Sequence, residues 1–463
     1  MFLKKIYTDR RAVLNKKVKK GLVLLMGNEL SPMNYPDNTY HFRQDSNFLY
    51  YIGVDLPGLT AIIDLDKKQT ILFGRELTMD DIIWTGPQPS LTELAAKAGI
   101  KKVLPPSKIA GLIKKAKKSG RAIHFLPPYR PENKIKLSEW LGVPIRGLSC
   151  ISCIPLVQAI IDQALIKGKE EIKEMEKALA ITADMHLTAM RTAKAGMTEA
   201  EVTGKVHGVA ISAGGNLAYP IILTVNGQTL HNHYHGNVMK RGQLLLGDFG
   251  AETAMHYAGD ITRTFPISKK FTKKQKDIYE LVLEMEESSI AACKPGVLYK
   301  DVHLNAARIL VNGMRDLGLM KGDTEEAVAA GAHALFFPHG LGHAIGLDVH
   351  DMEDLGEDLV GYTDEVKRNP QFGIRSLRFG RALEKGHVMT VEPGIYFIPE
   401  LIAQWESKGK FKNFINYSKL EKYLDFGGIR IEDNVLIMGR GQKVLGPRIP
   451  KTVAEIEAIR GGV

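Results

Sequence analysis

Leu246-Gly-Asp248-Phe-Gly-Ala-Glu-Thr-Ala-Met-His-Tyr257-Ala-Gly-Asp260-Ile-Thr-Arg-Thr264 sets two aspartates into apolar, glycine-rich surroundings on either side of a short polar tip at 252–255. The pattern predicts a β-hairpin, and antiparallel pairing would carry Asp248 and Asp260 to the same end of one sheet. A bare carboxylate taken out of water costs several kcal/mol unless a cation or partner compensates it. A single such aspartate reads equally well as a salt-bridged core residue.

Three more segments repeat the theme: Pro338-His339-Gly-Leu-Gly-His343, Thr390-Val-Glu392-Pro-Gly-Ile-Tyr396 and Gly428-Ile-Arg-Ile-Glu432-Asp433. Glu392 follows the apolar run at 388–391, and Pro393-Gly394 is expected to turn the chain directly after it. Glu432 is expected inside an alternating strand at 429–432. Four carboxylates and a histidine in strand-like or tight-turn contexts make metal the economical compensation. The set is hard and oxygen-rich, which suits Mn²⁺ or Co²⁺ and argues against a thiolate-type structural zinc site. Carboxylates shared between two ions would also let some of them bridge, as two-metal hydrolases require. His339 and His343 have the i, i+4 spacing of the zincin helix. The intervening residues are Gly-Leu-Gly, without a glutamate and poor in helix propensity, so that reading is rejected. In His231-Asn-His233-Tyr-His235 the residues alone leave two readings open. All three are exposed loop histidines, or one of them handles a proton or a substrate carbonyl.

Working outward, 463 residues exceed what one core usually serves, so two domains are expected. The first part alternates strand-like runs (Leu22–Met26, 61–65, 70–73) with helical spacing at 91–98 and 107–118, an α/β pattern. Gly168, between Lys167 and Lys169, reads as a break between helices, and the boundary is set at 1–165 and 166–463. Beyond it, helix pairs at 169–194 with 198–213 and at 272–293 with 299–317 are each followed by strands. This order hints at an internal duplication. Composition is that of a soluble globular protein, 44% hydrophobic and 25% charged. The net charge of +10 comes from lysine runs without interleaved aromatics, which read as solvated helix faces, so no nucleic-acid partner is expected. The longest N-terminal apolar run is too short for a signal peptide or a membrane span, and nothing elsewhere approaches about 20 apolar residues. Of three cysteines, Cys150 and Cys153 form a C-x-x-C without a second pair, which reads as structural or incidental thiols in a cytoplasmic protein.

Taken in order, these segments resemble the family of aminopeptidase P, prolidase, creatinase and methionine aminopeptidase. The stretch His41-Phe-Arg-Gln-Asp-Ser-Asn-Phe-Leu-Tyr-Tyr-Ile-Gly53 is similar to the N-terminal domain shared by aminopeptidase P and prolidase, which typical methionine aminopeptidases lack. The resemblance covers essentially the whole chain. It implies an α/β N-terminal domain followed by an α+β pita-bread catalytic domain that holds two divalent metal ions, most readily Mn²⁺, with Co²⁺ or Zn²⁺ as alternatives. The ligands it implies are Asp248, Asp260, His343, Glu392 and Glu432, with Glu392 also serving as proton acceptor and shuttle. His350, in Gly346-Leu-Asp-Val-His350-Asp351, matches the histidine that steadies the substrate carbonyl and oxyanion. His231 is the best match to the remaining active-site histidine, with His233 or His235 as substitutes. Substrate-binding roles fall on His339, Arg378 and Arg430. The Asp248–Asp260 interval is one residue longer than the family norm, which either the hairpin tip or a bulge has to absorb.

The activity implied is hydrolysis of the bond before proline in a di- or oligopeptide by a homodimer or homotetramer. The segment Leu377-Arg378-Phe-Gly-Arg381 is similar to the prolidase pattern, in which the arginine at Arg378 holds the dipeptide's carboxylate. It tips the expectation towards an Xaa-Pro dipeptidase over an Xaa-Pro aminopeptidase. A creatinase-like hydrolase and a non-catalytic binding module are the more distant alternatives.

Overall fold

A computed structural model describes residues 1–151 and 153–462, without the side chains of Cys150 and Ile151, so the Cys150 half of the C-x-x-C lies outside the described residues. Chain contacts divide it into two units: Met1–Ala164 with Asp354–Gly356, and Leu165–Glu353 with Glu357–Val463.

In the first unit, the apolar runs form a mixed five-stranded sheet. Leu22–Met26 lies between Thr60–Asp64, antiparallel to it, and Ile123–Phe125, parallel to it. Gln69–Phe73 extends the sheet to Lys102–Leu104. Helix Ile109–Lys118 places Ile109, Ile113 and Ala116 on one face, at helical spacing, against Leu22, Leu24, Ile62 and Phe73. Each fully buried Leu, Ile or Phe of this layer contributes about 1.5–3 kcal/mol from removal of its surface from water.

The second unit is built twice over. Helices Lys169–Thr192 and Glu199–Ser212 form one pair, and Lys273–Ala292 and Tyr299–Asp316 the other. Both pairs turn at a glycine with positive φ, Gly196 (93°) and Gly296 (85°), a conformation that costs glycine nothing. The turn hydrogen bonds repeat as well: Gly196 N–H to Met239 O (2.9 Å) and Gly296 N–H to Leu383 O (2.8 Å). Thr198 and Thr272 each open a helix with a reciprocal capping box, to Glu201 and Gln275.

The same correspondence continues into the strands. Gly242 and Gly386, again at positive φ, lead into Leu244–Asp248 and Val388–Val391. Six residues after each glycine stands an acid, Asp248 in one half and Glu392 in the other. Leu244–Asp248 pairs with Thr262–Pro266 and Ile222–Thr224; Val388–Val391 pairs with Asp433–Ile437, which in turn pairs with Gln442–Val444.

Two local expectations are corrected. Glu432 is not inside a strand. Gly428–Arg430 pairs with Gly394–Tyr396 in one sheet, whereas Asp433–Ile437 pairs with Val388–Val391 in another. The chain changes sheets at Ile431-Glu432. Likewise Glu392-Pro393 does not make a tight turn: the partner strand crosses between the same two sheets there. Proline, which has no N–H to give a ladder, fits such a crossing.

Candidate metal centre

The crossing sets the geometry of the site. Both chain segments leave one sheet and enter the next at the level of Glu392 and Glu432, and the Glu432 N–H donates to Thr262 O at 3.1 Å. That bond ties the crossing to the strand that begins just after Asp260. In the hairpin, pairing runs in one register from Asp248↔Thr262 to Glu252↔Ala258, with Phe249 N–H to Ile261 O and Gly259 N–H to Ala251 O between them. No bulge lies beside either aspartate, and the positive φ of the hairpin falls at its tip, on His256 (64°). Strand alternation then puts Asp248, Thr262 and Asp260 on one face.

All five expected ligands line one cleft of about 370 Å³. Asp260, His343 and Glu432 each offer a ligand atom within 4.8 Å of the others. His343 Nε2 lies 3.5 Å from both Asp260 Oδ2 and Glu392 Oε1. Asp248 and Asp260 are bridged by the Tyr219 hydroxyl, 2.7 Å from Asp248 Oδ1 and in contact with Asp260 Oδ1. Glu432 Oε2 accepts from Thr262 Oγ1 at 2.7 Å, whereas Glu432 Oε1 is buried without a hydrogen-bond partner.

Crowding of like charges shows in the ionisation of these groups. Burial, reinforced by the Asp260, Glu392 and Asp248 charges, drives the Glu432 carboxyl well above its ordinary range. Burial also lifts Glu392 to about 7, against the opposing pull of His343 and Arg430. Asp248 is raised by burial, although Arg430 works against it. Asp260 is held below its ordinary value despite burial because His343 hydrogen-bonds to it. His343 in turn is pushed up to about 9: burial works against its charge, but Asp260 and Glu392 outweigh it. A pocket with an orphaned carboxylate oxygen, a carboxyl forced to hold its proton and an imidazole supplying positive charge fits divalent cations, which satisfy all three at once. The donors are carboxylate oxygens and one imidazole, a set for a hard or borderline ion.

The remaining expected residues are also in the cleft: His231, His339, His350, Arg378 and Arg430 line it, and so does His233. His235 does not; its Nε2 donates to Ile221 O at 3.1 Å. Arg430 is buried with each of its three nitrogens bonded, Nη2 to Asp248, Nη1 to the Tyr396 hydroxyl at 2.8 Å and Nε to Thr262 Oγ1 at 3.1 Å. The Tyr396 hydroxyl therefore donates onward to His339 Nε2 (2.9 Å), while His339 Nδ1 donates to Gly340 O (2.7 Å). Burial holds His339 neutral, with its pKa down at about 3. Arg378 is partly exposed, and its Nη1 donates to Glu353 Oε2 (2.6 Å) and to Glu357 Oε2 (3.0 Å). Glu353 Oε2 also receives His350 Nδ1 at 3.1 Å.

Sequence reasoning passed over four of these partners. Tyr396 and Thr262 stand inside the quoted motifs, and Glu353 stands three residues after His350. Tyr219 gave no signal beyond an aromatic next to Pro220.

A buried acidic centre with one histidine, set among the sheets of two similarly built halves, defines the class. The model of metallopeptidase family M24 matches residues 173–438, and that of the aminopeptidase P N-terminal domain matches residues 7–124. The chain belongs to the M24 metallopeptidases, with the pita-bread fold. Among particular relatives, it is 32% identical to the Xaa-Pro dipeptidase of Homo sapiens, over 97% of this chain and 90% of that one. It is 31% identical to a probable Xaa-Pro aminopeptidase of Metarhizium robertsii, over 98% and 96%. Of solved structures, zinc-substituted aminopeptidase P of E. coli in complex with product superposes with a TM-score of 0.83 at 29% identity, covering 99% of this chain and 98% of that one.

Proposed function

We propose that this protein is a metal-dependent exopeptidase that hydrolyses the Xaa-Pro bond, with Asp248, Asp260, His343, Glu392 and Glu432 as ligands of two divalent cations, Mn²⁺ by preference and Co²⁺ or Zn²⁺ as substitutes. The observation that carries it is the convergence of four buried carboxylates and His343 around the unpartnered Glu432 oxygen. Relatives named for both Xaa-Pro activities support the substrate class. Bound cations would supply Lewis acidity, lowering the pKa of a water and polarising the scissile carbonyl. The protein does the rest. Glu392, one of the carboxylates lining the cleft, takes the proton from water and returns it to the leaving proline nitrogen. His350, anchored through Nδ1 by Glu353, donates Nε2–H to the carbonyl oxygen as the imidazolium, the form the Glu353 carboxylate favours, and His231 assists from the same cleft. Tyr219 and Arg430 hold the aspartates in place. His339 has both ring nitrogens committed, which makes it a wall of the proline slot.

Dipeptidase is the favoured subclass because Arg378 puts a guanidinium into the cleft, where paired N–H donors can receive a C-terminal carboxylate. One observation favours the aminopeptidase reading: Glu353 and Glu357 already pair with Arg378. Assay of Ala-Pro against Ala-Pro-Ala with added Mn²⁺ decides between them. Hydrolysis of neither removes the peptidase reading. The proposed domains are residues 1–165 and 166–463. A homodimer or homotetramer is proposed as well, supported by helix Met79–Thr85, whose Met79, Ile83 and Trp84 are 69%, 70% and 86% exposed. Among the described residues no helix is long and apolar enough to cross a membrane, and with the sparse cysteines a cytoplasmic location is proposed.

A further inference from the structure

We propose that Glu353 is a specificity-determining residue that occupies the arginine clamp and sets how much affinity a free carboxylate on proline can draw from it. The inference rests on the Xaa-Pro reading and concerns the far end of the same cleft.

The geometry is a chain of three side chains. Glu353 Oε2 receives Arg378 Nη1 at 2.6 Å and His350 Nδ1 at 3.1 Å, and Glu357 Oε2 receives the same Nη1 at 3.0 Å. Glu353 is mostly buried, with its side chain 15% exposed, and its carboxyl is held below the ordinary range. Burial opposes that shift, but His350 and Arg378 outweigh it. One guanidinium therefore faces two internal carboxylates. Arg368 offsets part of the Glu357 charge through its own contact with that residue, and it also holds Asp358 at 2.6 Å. No second cation is paired with Glu353 among the described residues other than His350, when charged.

A substrate carboxylate arriving at Arg378 thus meets a donor group that is partly spent and a fixed negative charge on the same nitrogen. At this range and with partial burial, one like charge is worth about tenfold in affinity. A substrate whose proline carbonyl continues into another residue, or ends in an amide, brings no charge and meets no such penalty. Glu353 also acts on chemistry. By fixing His350 Nδ1 it sets which ring nitrogen faces the carbonyl, so the two ends of the substrate are read by one carboxylate. This makes Glu353 a positioning residue for His350 and the selector at Arg378.

The test compares binding of L-proline and L-prolinamide to the Mn²⁺-loaded wild-type protein and to Glu353→Gln and Glu357→Gln, by calorimetry, alongside kcat and KM on Ala-Pro and Ala-Pro-NH₂. Glutamine keeps an oxygen for His350 while removing the charge. The expected result is that the ratio of proline to prolinamide dissociation constants falls about tenfold in Glu353→Gln and less in Glu357→Gln, with the KM ratio for the two substrates following. An unchanged ratio, or one that rises because proline binding weakens selectively, overturns the proposal. If the wild type binds neither ligand and cleaves neither substrate, the Xaa-Pro reading itself fails. A normal wild type with an unmoved ratio in Glu353→Gln condemns only the selector role.

Discussion

Replacing Glu432 with glutamine separates the cost of assembling this centre from the gain of filling it. In the metal-free protein, burial and three neighbouring acids raise the Glu432 carboxyl well above its ordinary range, and Oε1 has no partner. Glutamine at this position has nearly the same shape and the same zero charge, and its Oε1 can still accept from Thr262. Stripped of metal, Glu432→Gln is therefore expected to be no less stable than wild type at pH 6–7, because the wild-type carboxyl ionises on unfolding and the glutamine does not. The sign with pH is definite. A carboxyl whose folded pKa is raised favours the folded state at low pH, and that contribution is lost as pH rises through the folded value. Stripped wild type should thus lose stability relative to the variant as the solution becomes alkaline. Metal reverses the order. At a free Mn²⁺ concentration of a thousand times Kd, binding to the folded state alone stabilises by about 4 kcal/mol, or roughly 4–7 °C in Tm for a unit of this size. The variant, lacking one carboxylate that would hold the metal, should show little of this gain. Differential scanning fluorimetry of chelator-treated protein, with and without Mn²⁺ at pH 6.5 and 9, measures both effects. An equal Mn²⁺-induced shift in variant and wild type would refute the ligand role. A stripped variant several kcal/mol less stable than stripped wild type would refute the protonation argument.

Asp260→Ala and His343→Ala are each expected to abolish turnover while leaving the circular dichroism spectrum intact; normal activity in either sinks the metal assignment. Arg378→Ala should harm cleavage of Ala-Pro far more than that of Ala-Pro-Ala, and equal losses would show that no carboxylate is held there. Filling the centre must drive off the His343 proton, held up to about 9, and the Glu392 proton near 7. Calorimetric titration with Mn²⁺ in buffers of different ionisation enthalpy should therefore show proton release at pH 6.5 that diminishes towards pH 9, and a pH-independent signal would contradict it. Trp84→Asp should shift the protein to a smaller species in analytical ultracentrifugation, whereas an unchanged mass would remove that helix from the interface.

Much of the fold is written locally. Helix starts at Thr198 and Thr272 follow from reciprocal caps, and the helix break at Gly168 and the apolar strands of the first unit follow from propensity and period, because each depends on residues a few positions apart. The acids of the centre were legible for the same reason: a carboxylate among buried apolar neighbours is conspicuous along the chain. What tertiary structure decided is who meets whom. Arg430 reaches Asp248 across 182 positions and Thr262 reaches Glu432 across 170, and nothing in either local stretch announces the partner. The strand expected through Glu432 is broken there because two paired segments change sheets together. His231 and His233 line the cleft and His235 does not, although the three alternate in one short stretch. Tyr219 enters through contact with both aspartates, 29 and 41 positions away. Periodicity and spacing are properties of a line; the pairing of remote charges is fixed only when sheets close around them and water is excluded.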